Sequence, residues 1–573
     1  MHLRRHNEWR STPEIHRMSE VSDMKRWLKA MGILVMLLCM ASSTLAAQGE
    51  LSVHRADGVG GEVCMWEKSN GKKYLFLPAY MHDQALVLEF SGISSVFIGD
   101  MELSNGMAVD AIADGVTLRL GKNGSSVTVM ESANLPAVHI ATASGSLDHI
   151  HAKKGNKEKG SMQIVWPDGG TAQAELDAIK GHGNATFVYE KKSYQIKLEE
   201  KLALPGMNEG KRYVLLANQH ENSLLRNRIT FALARALELP YTPECMSVDL
   251  YVNGEYRGSY LLCDKVTIAS GSVDITESEE AIEEANEAYI ERGGEPEAYG
   301  TNEYEAGTCK GVNWPREPED VTGGFLFELE YKDRYAEEAS GVVTQRGQPV
   351  VVKEPEEMSA AQGEYASALL NSFERAIFAA DGVDSETGRH YTEIADFDSL
   401  VRKYMIEEVC KNYDGNKSSQ YFFKDSDAVD PLLYAGPVWD YDSAWGNYAR
   451  EGSLGPAEPE GLSIARQGYE YSWWPALYQH QEFRDAVRSV YESELRPLLQ
   501  VLTGAREAQA DGEVKSLDAY ADELSASAEM NFVRWRVLNH ETRAVKTGAT
   551  YAENISYLKN WIEARMAYLD KTW

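Results

Sequence analysis

An α+β architecture, with a small β-rich segment ahead of a larger mixed domain, is what the sequence predicts. Three patterns carry that expectation. Apolar residues alternate through Leu86, Leu88 and Phe90, and Val116 to Leu120 can fold back on Val127 to Met130 across Asn123-Gly124, a favoured hairpin turn. Further on, alternation recurs in Ser193 to Leu198 and in Phe325 to Tyr331. Two later stretches switch to helical spacing: Phe397, Leu400, Val401, Tyr404, Met405 and Val409, then Leu558, Trp561, Ile562, Arg565 and Leu569. The expected division is a targeting segment over 1–47, a β-rich accessory domain over 48–134 and the main domain over 135–573. A chain of 573 residues is long enough for that arrangement.

Composition narrows the partners. The chain is 43% hydrophobic and 25% charged, as globular proteins are. Its net charge of −31 argues against nucleic acid or an anionic membrane as the general partner, and suits a basic protein or a cation. The plainer reading is that acidity keeps an exported chain soluble. Export is expected because Lys25 and Arg26 precede the short apolar run Met31 to Leu38 and the small residues Ala41 to Ala47, the pattern of a secretory signal peptide. Met24 fits the start of that segment better than the polar residues before it. The run is short for a membrane span and no second one follows, so no integral membrane segment is expected in the mature chain. Cys39 leaves with the signal. Five cysteines remain, Cys64, Cys245, Cys263, Cys309 and Cys410, without the spacing of a zinc site. A two-residue turn at Asn253-Gly254 sets Cys245 and Cys263 diagonally on opposite faces, so buried thiols are expected.

The main domain opens with strands. Gly181 and Gly183 mark a tight turn, and in the strand after it Tyr194, Ile196 and Leu198 face inward while Lys197 points away from the core. A glycine turn followed by a strand lysine is how kinases hold nucleotide phosphates, with Lys191 or Lys192 as alternatives to Lys197. Ser223 to Ala236 reads as a helix capped by Ser223, and Arg226 on it is either a phosphate partner or half of a structural salt bridge. Val248 to Val252 and Tyr256 to Leu262 form a hairpin. Residues 277–318, dense in glutamate, read as a solvated acidic insertion with a short helix in Glu279 to Ala288 and no strand. Beyond it, Glu328 and Glu330 share one strand face, placed to pair with Lys197 or to approach a metal.

The segment Phe397 to Asn447 organises the rest. Its helix ends before Asp414, in a loop that also contains Asn416. A hairpin through Tyr421-Phe422-Phe423 and Leu432-Leu433-Tyr434 follows, and the run ends in Trp439-Asp440-Tyr441-Asp442. The order is helix, loop acid, hairpin, second acid. Phosphoryl-transfer enzymes of the kinase type use one loop Asp to accept the hydroxyl proton and another, past a hairpin, to hold Mg²⁺.

KNYDGNKSSQYFFKD and GPVWDYDSAWGN resemble the CotH protein-kinase family, atypical kinases first associated with spore coats. KKSYQIKL, KRYVLLANQHENSLLRNRITFALARAL, VDLYVNGEYRGSYLLCDKV, GGFLFELEY and NISYLKNWIEARMAYLD extend the resemblance, in order, over about 135–573. It implies an atypical kinase-like fold that transfers the γ-phosphoryl group of ATP to Ser or Thr of a secreted, spore-coat or envelope protein, with Mg²⁺ or Mn²⁺. Asp414 is then the catalytic base. Asp440 is the leading metal ligand, Asp442 and Asn416 are further ligands, and Gly181, Gly183, Lys197 and Arg226 belong to the ATP site. Two positions depart from the pattern. His182 stands where the family usually has Arg, which predicts a weaker grip on phosphate, and Ser419 stands where ordinary kinases have a metal-binding Asn. Competing expectations are a non-catalytic coat or cell-surface assembly protein on the same fold, with the acidic insertion as its contact surface, and transfer of a nucleotidyl group.

Overall fold

The computed structural model describes residues 49–122, 124–448, 455–466, 468–535, 538 and 548–573. The expected signal segment and Asn123 lie outside the described residues. Helices and sheets both contribute, as an α+β chain requires.

Among the described residues of 50–131, the regular structure is ten short strands and one 3₁₀ turn at Ala79–Met81. One four-stranded and one six-stranded sheet pack their apolar faces together through Leu51, Val53, Leu75, Leu77, Leu86, Leu88, Val127 and Val129. Leu118 in Thr117–Leu120 stands opposite Val127 in Ser126–Glu131, so the expected strand pair is present. The same apolar cluster takes in Tyr251, Tyr256 and Met530, which binds these sheets to the rest of the chain.

The next seven strands close a barrel in the spatial order Ala137–Thr142, Lys157–Val165, Thr171–His182, Ser193–Leu202, Gly210–Leu216, Glu255–Asp264, Cys245–Val252. Alternate residues fill its interior, among them Val138, Ile140, Ile179, Tyr194, Ile196, Leu215, Leu250 and Leu262. Gly181 and Gly183 do not make a tight turn. The link from His182 to Ser193 runs through a 3₁₀ turn at Ala185–Val188. Helix Arg226–Ala236 lies on the barrel's outer side, and its N-cap is Leu225, not Ser223, whose hydroxyl is taken up by Glu221 at 2.5 Å.

A seven-stranded sheet follows in the order Glu297–Tyr299, Thr308–Asn313, Gly341–Val343, Pro349–Glu354, Phe325–Leu329, Gln420–Lys424, Leu433–Ala435. Two of these strands come from the glutamate-rich stretch read as strandless. Thr308–Asn313 gains backbone partners on Gly341–Val343 and packs against Ala360–Phe378, contacts invisible in its own polar sequence. The expected helix there is present as Ser278–Ile290. Helices Ala360–Phe378 and Phe397–Cys410 cover one face of the sheet through Leu370, Phe373, Leu400, Tyr404 and Phe422.

The last described part is helical. Leu558, Trp561, Ile562, Arg565 and Leu569 of helix Tyr551–Thr572 are all buried. Arg565 does more than pack. Its guanidinium donates to the carbonyls of Glu408, Val409, Pro459 and Gly461 and to the Glu408 carboxylate at 2.9 Å, so it clamps the end of helix Phe397–Cys410.

Candidate active site

Helix Phe397–Cys410 stops because Lys411 turns left-handed, with φ of 51°, and its ammonium is bound by the carbonyls of Glu458 and Glu460. The loop that follows carries Asp414. Its amide donates to Asn412 Oδ1, its carbonyl accepts from Lys417 and Ser418 in a closed turn, and its carboxylate accepts from Tyr331 Oη at 3.1 Å. Asn416 is buried with its amide donating to Ile464 O at 2.9 Å.

The second acid lies where the chain leaves the hairpin. Asp440 adopts a left-handed backbone with φ of 67°, an uncommon conformation for a residue with a side chain. Three contacts hold it. Tyr441 N donates to Asn227 Oδ1 at 2.7 Å, Trp439 stacks on Phe231, and Trp445 N donates to Cys410 O at 2.7 Å. Asp442 comes within hydrogen-bonding contact of Asp440. Ser419 also reaches the site, with its hydroxyl 3.4 Å from Asp440 Oδ2.

Both acidic segments hang on one buried network. Lys403 and Glu407 are each 0% exposed and pair at 2.6 Å. Glu407 also accepts from Asn412 Nδ2 at 2.9 Å, at the base of the Asp414 loop, and from Tyr441 Oη, between Asp440 and Asp442. Lys403 Nζ lies 3.1 Å from the same tyrosine hydroxyl. One ion pair inside a helix therefore fixes two loops relative to each other.

Strand Phe325–Leu329 adds Glu328 and, just past its end, Glu330, both nearly buried. Glu328 stands opposite Tyr421 in the adjacent strand, and Glu330 is in hydrogen-bonding contact with Ser418. Five carboxyl groups thus converge, and the crowding shows in the protonation of Asp414, Asp440, Glu328 and Glu330. Burial, then the proximity of Asp442 and Asp414, pushes Asp440 well above the usual carboxylate range. Burial pushes Asp414 up to about 6, against the pull of Lys417 and Tyr331. Glu328 rises to about 8 through burial and the neighbouring Glu330, partly offset by Lys353 at 3.9 Å.

Cations approach from the barrel. The edge of His182 faces Trp439, with ring centroids 6.2 Å apart. Burial, followed by Lys265, Lys180 and Lys154, lowers its pKa to about 4, so its ring is neutral near pH 7. Lys265 is itself brought down to about 8 by burial, between Glu354, which supports its charge, and Arg212, Lys180 and Lys353, which oppose it. At Gly181 an added Cβ would lie 2.3 Å from the Phe187 ring, so glycine lets the loop close over this strand end.

The residues expected at the site divide clearly. Asp414, Asp440 and Asp442 come together, and Gly181 and Gly183 flank His182 beside them. Lys197 does not join them: it points to solvent and pairs with Asp177 at 2.9 Å. Arg226 is buried, paired with Glu221, and donates to Trp445 O at 3.3 Å, which is the structural alternative the sequence left open. Lys191 is fully buried against the carbonyls of Ala217 and Ser259, each at 2.6 Å. Lys265, Lys180 and the Lys403-Glu407 pair went unread. The pair had a signal, since charges four residues apart on the inner face of an apolar helix call for a buried partner.

Hard carboxylate oxygens crowded enough to resist ionisation are a donor set that suits Mg²⁺ or Mn²⁺. Among the described residues no three His, Cys, Asp or Glu side chains form a ready-made cage for a metal ion. Mg²⁺ does not require one, because it is commonly held by one or two carboxylates together with substrate phosphates and water. A cavity of about 680 Å³ bounded by Gly61, His139, Gln163, Glu175 and Asn253 lies against the barrel strands Ala137–Thr142, Lys157–Val165 and Thr171–His182 and includes none of the acids above.

Residues 179–569 match the family model described as CotH kinase protein, which spans both the His182 loop and the acidic cluster. No curated protein matches the chain.

Proposed function

Because the chain belongs to the CotH kinase protein family, we propose that it is a protein kinase that moves the γ-phosphoryl group of ATP onto Ser or Thr hydroxyls of an exported coat or envelope protein. One observation carries the reading: Asp414 converges with Asp440 and Asp442 on the side of the sheet that meets the lysines of the barrel. Asp414 accepts the proton of the acceptor hydroxyl. Tyr331 donates to its Oδ1, which fixes the carboxylate and leaves Oδ2 for the substrate. Asp440 and Asp442 hold Mg²⁺ or Mn²⁺, which offsets phosphate charge, and Ser419 steadies Asp440 from the loop side.

Lys180 and Lys265 supply positive charge to the phosphates from the barrel. Lys197, bound to Asp177 at the surface, does not serve that purpose. In such chemistry most of the rate comes from positioning and electrostatics, which is what the Lys403-Glu407-Tyr441 network provides. The acceptor is a basic, serine-rich protein, drawn by a chain of net charge −31. The described residues between 49 and 134 serve as an accessory β layer beside the catalytic part. The N-terminal segment directs export, and no described helix is long and apolar enough to cross a membrane.

Calorimetric titration of the full chain with ATP tests the metal assignment. Binding should require Mg²⁺ or Mn²⁺ and weaken at least about tenfold in Asp440→Asn. Equal binding with and without metal, or in both proteins, contradicts it. No binding under any condition favours an assembly protein on the same fold.

A further inference from the structure

The hairpin formed by Cys245–Val252 and Glu255–Asp264 starts from a two-residue turn, with Val252 opposite Glu255 and Tyr251 opposite Tyr256. Continued without interruption, that register would set Cys245 opposite Leu262 and leave Cys263 on the other face. It is interrupted once. Leu250 stands opposite Gly258, so Arg257 is an extra residue in the second strand. Gly258 makes this possible: its φ is 111°, and an added Cβ would lie 2.6 Å from Asn531 Oδ1 and 2.9 Å from Lys191 Cε. The one-residue shift brings Cys245 directly opposite Cys263. The expectation of thiols on opposite faces is thereby corrected, for a reason that lies in the bulge.

The pairing is of the closer kind. Asp264 N donates to Glu244 O at 3.1 Å, which makes residues 244 and 264 a hydrogen-bonded pair and the two cysteines the adjacent non-hydrogen-bonded one. Such pairs have Cα atoms about 4.5 Å apart with side chains near each other, within the roughly 4.4–6.8 Å that a disulfide spans. Both thiols are free. Cys263 is sealed in the core beside helix Arg226–Ala236, whereas Cys245 is half-buried at the rim of that core. Burial pushes the Cys245 thiol up, and the neighbouring Arg235 and Arg228 offset only part of that rise.

We propose that Cys245 and Cys263 are an oxidisable pair that closes to a cross-strand disulfide by exchange with a small-molecule disulfide. The Cys245 thiolate attacks one sulfur of the reagent, forming a mixed disulfide and releasing one thiolate. Cys263 then attacks the Cys245 sulfur and releases the second. The two cysteine protons pass to the departing thiolates, so one disulfide is reduced for the one formed. The bond staples the two strands that join barrel neighbours Ala137–Thr142 and Gly210–Leu216, under the helix whose Asn227 holds the Asp440 turn.

The full chain is incubated with oxidised glutathione or with dithiothreitol, alkylated, and mapped by mass spectrometry under non-reducing conditions. The expected result is a linked Cys245–Cys263 peptide after oxidation, two fewer alkylated thiols, and a melting temperature raised by about 2–6 °C that Cys245→Ser does not show. Reaction that stops at glutathionylated Cys245, linkage to Cys64, Cys309 or Cys410, or no linked peptide would overturn the proposal. The peptide map of the unmodified sequence decides the matter even if the variant does not fold.

Discussion

Replacing Glu407 by Gln should cost the protein about 3–5 kcal/mol, because it leaves the ammonium of Lys403 buried without a counter-charge. Lys403 and Glu407 are both 0% exposed, so water cannot solvate the stranded charge. Tyr441→Phe removes one hydrogen bond to the same carboxylate and leaves the ion pair, and should cost about 1.5–3 kcal/mol. Lys403→Met combined with Glu407→Gln removes both charges and keeps an amide acceptor for Tyr441 and Asn412. This double variant should recover most of the loss, with a coupling energy of about 2–3 kcal/mol. Urea midpoints for the native chain, Lys403→Met, Glu407→Gln and the double variant measure the cycle. Phosphate transfer by the same set measures whether displaced loops slow the chemistry, where about 1 Å of misplacement can cost a hundredfold. The reasoning is refuted if Glu407→Gln lies within about 0.5 kcal/mol of the native chain, or if the two single losses simply add.

The surrounding residues give further expectations. Arg226→Ala should lower stability by about 3–5 kcal/mol, read as a melting-temperature drop in the absence of ATP, because Arg226 is buried on Glu221. Lys197→Ala should change stability by no more than about 0.5 kcal/mol and leave ATP affinity unaltered in calorimetry, as suits an exposed pair with Asp177. Lys265→Met should weaken ATP binding about tenfold, and in the native chain affinity should fall as pH rises through about 8, where Lys265 loses its proton. Asp384 is held well below the ordinary carboxylate range by Arg375, which overcomes burial with help from Ser372, the Glu386 amide and Thr387. Its contribution to stability is complete above its unfolded pKa of about 3.9 and is lost as pH falls toward the depressed folded value. Asp384→Asn should therefore lower the melting temperature at pH 7, with the gap from the native chain closing below about pH 4.

Much of the site was legible because local patterns and tertiary structure agree there. The apolar stripe from Phe397 to Val409 forms a helix, Asp414 falls in the loop after it, and the hairpin returns Asp440 to the same place. Alternation in Ser193 to Leu198 correctly turned Lys197 out of the core, but a strand pattern cannot say what stands beyond the outer face, and there it is Asp177. Other features needed the fold. Thr308–Asn313 lacks an apolar face of its own, and only its place between Glu297–Tyr299 and Gly341–Val343 makes it a strand. The register at Cys245 turned on a single glycine, because a bulge is a property of both strands and of what presses on them. Lys265 gains meaning only once the barrel end meets the sheet that carries Lys353 and Glu354.

The most direct test of the kinase reading is incorporation of labelled phosphate from ATP, with Mg²⁺ or Mn²⁺, into the mature chain and into a basic serine-rich acceptor. The native protein and Asp414→Asn are compared side by side. Transfer by the native chain that drops by at least about a hundredfold in the variant is the predicted result. Equal labelling by both would remove Asp414 from the chemistry, and no labelling by the native chain would contradict the assignment of a kinase.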